Sequence, residues 1–138
     1  MEMPGDSRPR LPDSEKITIN LGHVDLGRVD LLVRDGFYGN RTDFIRTAIR
    51  NQLDRHASAV DRAVARDTLD LGLRHYTRAD LERARDAGGG LAINVLGLAS
   101  IAPDVTAELA LAAIGSVTVL GALHASPEVR KALAGRIH

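Results

Sequence analysis

Polar and apolar residues alternate along Lys16-Ile17-Thr18-Ile19-Asn20-Leu21. This is the period of a strand with one buried face, carrying Ile17, Ile19 and Leu21 inward and Lys16, Thr18 and Asn20 outward. From about Val24 to Asp35 the period changes, and Leu26, Val29, Leu32 and Val33 recur at helical spacing. Gly36 stands where a helix C-cap is expected, just after Arg34 in the last turn. A second helix is predicted to start at the N-cap Asn40, with Asp43 suiting its first turn and Phe44, Ile45, Ala48, Ile49 and Leu53 forming its apolar stripe. The same period continues through Ala57, Val60 and Ala63 toward Arg66.

The second half carries a weak repeat. Val95-Leu96-Gly97 and Val119-Leu120-Gly121 match at an offset of about 24 residues, as do Pro103-Asp104-Val105 and Pro127-Glu128-Val129. Leu71-Gly72-Leu73 followed by Thr77-Arg78-Ala79-Asp80-Leu81 is a poorer first copy. Each copy reads as a short apolar strand leading to a short helix, with Pro103 and Pro127 expected at first helical positions. Three strand-helix units from about Thr68 to Ala134 favour a parallel sheet. Gly88-Gly89-Gly90 is expected to act as a flexible joint between the first two. Before the first strand, Pro4, Pro9 and Pro12 give residues 1–14 the pattern of a flexible arm, in which Arg8 and Arg10 read as solvated charges.

Composition narrows the function. Lys and Arg balance Asp and Glu at 18 each, so the chain lacks the basic excess of an indiscriminate nucleic-acid binder, while a specific binder with a few placed cations remains open. There is no cysteine, which excludes disulfides and thiolate metal sites and suits a reducing cytoplasm. His23, His56, His75, His124 and His138 are scattered, so no metal site is expected. No nucleophile elbow, phosphate loop or paired-histidine metal motif is present, so neither an enzyme nor a cofactor is expected. The first residues lack the apolar run of a signal peptide. The uncharged stretch between Glu108 and Glu128 is about long enough to span a bilayer. Its Gly115, Ser116, Thr118, Gly121 and His124, with strand-like alternation near the middle, argue against a membrane segment.

A strand followed by two helices cannot bury its own apolar face. Its simplest partner is the same strand of a second copy, antiparallel about a two-fold axis. The resulting two-stranded ribbon would present Lys16, Thr18 and Asn20 twice over, and such a ribbon fits the major groove of duplex DNA. Lys can donate to guanine, Asn can pair adenine, and Thr can contact the thymine methyl. The amino end of the second helix, at Asn40, Arg41 and Thr42, is a natural phosphate site.

Residues 15–55 resemble the ribbon-helix-helix proteins of the CopG, Arc and MetJ type. The residues that carry the likeness are Lys16 to Leu21, Leu26, Val29-Asp30, Leu32-Val33, Gly36, Tyr38, Asn40-Arg41-Thr42-Asp43 and Ile45-Arg46. Gly22-His23 departs from the pattern, since the family often places a proline there. The resemblance implies an intertwined dimer in which Lys16, Thr18 and Asn20 read bases and Asn40, Arg41 and Thr42 hold phosphate.

The expected class is α+β. An arm (1–14) precedes a ribbon-helix-helix domain (15–66), followed by a small α/β domain of three strand-helix repeats (67–138). The expected function is a cytoplasmic, sequence-specific transcriptional repressor whose partners are duplex DNA and further copies of itself. The nearly uncharged stretch from Leu91 to Ala125 would join dimers into larger oligomers. An antitoxin with a toxin-binding second half, or an assembly module that does not bind DNA, are the alternatives.

Overall fold

The computed structural model describes residues 14–138. Apart from Ser14, the expected N-terminal arm lies outside them. The chain divides into two compact units between Ser58 and Ala59.

In the first unit, α1 spans His23–Arg34 and α2 spans Arg41–Arg55. Gly22 stands at the N-cap of α1 in extended conformation and supplies no side-chain cap, so the helix opens on the backbone bond from Leu26 N–H to the Gly22 carbonyl. Its other end follows the sequence expectation. Gly36, at φ +86°, lets the chain reverse, and the N–H groups of Gly36 and Phe37 bond the carbonyls of Val33 and Leu32. This is the double closure of a Schellman motif, available where a residue lacks the Cβ that disfavours positive φ.

The apolar stripe of α2 does not continue into one long helix. At His56 the chain takes φ −101° and ψ 13°, and α3 starts afresh at Ala57–Arg66. His56 N–H bonds the Leu53 carbonyl, tightening the last turn of α2. Neither proline nor glycine marks this break, so periodicity alone runs through it.

The second unit is a three-stranded parallel sheet in the order β1 (Asp70–Tyr76), β2 (Leu91–Ile101), β3 (Ile114–His124). Each strand is followed by a helix: α4 (Arg78–Asp86), α5 (Ala107–Ala113) and α6 (Pro127–Leu133). These are the three strand-helix copies that the repeat predicts. Ile93, Val95, Ala99 and Ile101 of β2 are buried with Leu81 of α4, Leu109, Ala110 and Ala113 of α5, and Val129 and Leu133 of α6. The helices therefore cover one face of the sheet.

Each helix is capped by a hydroxyl. Thr77 accepts from Asp80 N–H and the Asp80 carboxylate accepts from Thr77 N–H, forming a capping box. Thr106 and Ser126 accept from Leu109 and Val129 N–H. Pro127 occupies the first turn of α6 as expected, whereas Pro103 does not open α5. It lies in a turn closed by Val105 N–H on the Ala102 carbonyl, and the hydroxyl at Thr106 decides the start.

Two further expectations change. Gly88-Gly89-Gly90 ends α4 in a hydrogen-bonded turn rather than a loose joint, with Gly88 and Gly89 N–H on the carbonyls of Arg85 and Ala84. The uncharged run before Glu128 is divided between α5 and β3, and no helix among the described residues is long and apolar enough to cross a membrane.

The repeated glycines form a column: Gly72, Gly97 and Gly121 pair in register at φ +117°, +141° and +120°. A Cβ on Gly97 would fall inside the van der Waals envelope of the Gly72 carbonyl, and one on Gly121 inside that of Gly97. The repeat is thus preserved by backbone touching backbone.

Candidate nucleic-acid interface

Lys16, Thr18 and Asn20 lie in the exposed segment that leads into α1, and Ile17, Ile19 and Leu21 between them are 72%, 57% and 43% exposed. Lys16–Leu21 pairs with no strand among the described residues. Among the described residues nothing covers the alternating set. Val24, Phe37, Ile49 and Leu53 are exposed as well, and Val29 is the one buried apolar residue among the described residues of this unit. A unit with so little interior has apolar surface to bury against another molecule.

Asn40, Arg41 and Thr42 come together where the sequence places them, at the start of α2. The Asn40 side-chain oxygen accepts from Asp43 N–H at 2.8 Å, and Asp43 in turn accepts from Gly39 N–H at 2.9 Å. Such a cap is worth about 1 kcal/mol. It consumes the Asp43 amide, and Phe44 N–H goes to the Asn40 carbonyl. The amides of Arg41 and Thr42, as the first two of a helix, have no intrahelical acceptor. They add partial positive charge at an exposed end. Tyr38 and Phe44 pack edge to face at 5.0 Å between ring centres, holding the connection against the helix.

The Arg41 guanidinium is engaged. It donates to both carboxylate oxygens of Asp30 in α1, at 2.7 and 2.8 Å. The pairing of Asp30 with Arg41 is not legible in the sequence, because eleven residues and a turn separate the two. The Arg41 hydrogen bonds and charge hold the Asp30 carboxyl below its ordinary value of 3.8. A depressed carboxylate contributes stability that is present above its unfolded value and is lost as pH falls through the folded one. The link between α1 and α2 therefore holds at neutral pH and fails only under acid conditions, below the ordinary aspartate range.

In the second unit, His75 Nδ1 and Ser100 Oγ are 2.6 Å apart across neighbouring strands. Among the described residues no cluster of three or more His, Asp or Glu could hold a metal.

The model of a family described as ribbon-helix-helix transcriptional regulators matches residues 12–130. The chain belongs to this family. No curated protein and no solved structure matches the chain. The family match extends well beyond the resemblance at residues 15–55. It runs through all three strands of the C-terminal sheet, so that unit lies within the family's shared extent. Membership makes the chain a ribbon-helix-helix transcriptional regulator, a class that binds DNA and dimerises.

Proposed function

We propose that this regulator is a sequence-specific repressor, reading the major groove with a ribbon made from Lys16–Leu21 of two copies. The observation that carries the reading is the exposed alternating segment, whose apolar set has no cover among the described residues. Pairing two such segments would bury Ile17, Ile19 and Leu21 and leave Lys16, Thr18 and Asn20 facing outward. The amides of Arg41 and Thr42, with the Thr42 hydroxyl and the Asn40 amide, would hold the DNA backbone on either side and set the register.

The folded core of the C-terminal unit favours a regulator whose second half assembles copies over an antitoxin with a toxin-binding tail. The neutral composition accords with affinity gained from placed contacts rather than from bulk charge.

Selection of bound duplexes from a random pool tests the reading. The expected result is an enriched inverted or tandem repeat, mirroring a two-fold protein. A pool that emerges without enrichment would remove the sequence-reading role.

Asp30 gives a second test. Asp30→Asn should release the Arg41 guanidinium, raise duplex affinity at low salt for all sequences alike, and steepen the salt dependence by up to about one phosphate contact per copy. An unchanged salt slope would assign Arg41 to holding α1 on α2 alone.

A further inference from the structure

The helices cover one face of the C-terminal sheet and leave the other open. On that open face the register sets leucines in rows across the strands. Leu71, Leu96 and Leu120 form one row, and Leu73, Leu98 and Ala122 the next. Leu71, Leu73 and Leu120 are 72%, 73% and 56% exposed. His75, Ser100 and His124 close the face at the carboxyl ends of the strands, and Asn94 and Thr118 lie toward the other end. A quarter of the chain is Asp, Glu, Lys or Arg, yet none of these residues lies on this face.

We infer that this open leucine face is an interface with the same face of a second copy of the chain, and that it joins ribbon dimers in pairs. The inference rests on the dimer of the proposed function for its stoichiometry. Three properties of the face select the occupant. It carries no fixed charge to hold a phosphate backbone or a charged peptide, whereas against itself it meets no like-charge cost. The rows are continuous over all three strands, so a two-fold operation lays leucine on leucine, as an isologous contact requires. The outer edge of β3 is occupied by the C-terminus, through the Val117–Ile137 bridge and His138 N–H on the Val117 carbonyl, which turns growth away from that edge.

Size points the same way. Three strands about 4.8 Å apart present a narrow plane, small beside the roughly 800 Å² that each partner contributes to a stable interface. A contact of this size gains strength when both partners are already dimers, because the second contact forms within one particle. A chain with two isologous interfaces on distinct axes closes at four copies.

The test is sedimentation velocity of the full chain at micromolar concentration, with Leu73→Glu and Leu120→Glu made separately. Both side chains are more than half exposed, so far-UV circular dichroism should show the fold retained. The expected result is a tetramer for the wild type and a dimer for each variant. A wild-type dimer that Leu120→Glu leaves intact overturns the inference, as does a tetramer that survives Leu120→Glu. Sensitivity to Leu73→Glu alone would also overturn it, because Leu120 lies two strands from the free edge of β1 and is untouched by edge pairing. A wild-type dimer that Leu120→Glu converts to a monomer upholds the face, and the ribbon dimer is then what fails.

Discussion

Gly97→Ala should strongly destabilise the C-terminal sheet. Gly97 sits at φ +141°, and an added Cβ there would meet the carbonyl of Gly72 on the neighbouring strand. The two effects add. A non-glycine residue held at such a φ costs on the order of 1–3 kcal/mol. Forcing atoms into a filled space costs on the order of 1–3 more. The obstacle is backbone, paired in register on both sides, and cannot swing aside as a side chain would. A unit of about 80 residues has a total stability of roughly 4–12 kcal/mol. The substitution therefore removes a large part of it. Gly72→Ala is the control. It shares the positive φ, at +117°, but nothing lies within 4 Å of its Cβ position, so only the conformational part, about 1–3 kcal/mol, should be lost. Urea denaturation of the full chain followed by circular dichroism would rank the two. Equal midpoints would show that strand contact at the glycine column contributes nothing.

Replacing Lys16, Thr18 and Asn20 together by alanine should abolish site selection while leaving the fold intact. All three are exposed, so no packing is lost. Each well-placed pair of hydrogen bonds to a base edge is worth about 1–3 kcal/mol of discrimination. Losing three in each of two copies brings binding at the preferred duplex down to the level of random DNA. Residual salt-dependent affinity should survive, because the start of α2 is unchanged. The measurement is competition between the selected duplex and a scrambled one at fixed salt. Discrimination retained by the triple variant would move base reading away from this segment.

The two predictions fall on elements whose legibility in the sequence differed. The first unit was readable because its signals are local. The glycine after α1 and the asparagine before α2 each act within a few residues of where they stand, whereas the alternating segment Lys16–Leu21 forms no strand in the single chain. The three strand-helix copies were also readable, since every copy must bury the same face and so repeats the same spacing. What local signals could not supply were contacts between distant residues. The Asp30–Arg41 pair joins two helices, and the break at His56 carries no breaker residue. Pro103 resembles Pro127 in its neighbours, yet only the latter opens a helix, because hydroxyl caps at Thr106 and Ser126 set the starts.

The sequence by itself determined the two helices of the first unit, the three strand-helix copies and the cap of α2, because patterning and capping act over one or two turns of chain. Only the tertiary structure decided that Gly72, Gly97 and Gly121 stack backbone on backbone, that Arg41 is held by Asp30, and that one sheet face is left as rows of leucine. Each of these depends on which residues the fold brings side by side, and a one-dimensional pattern carries no record of that.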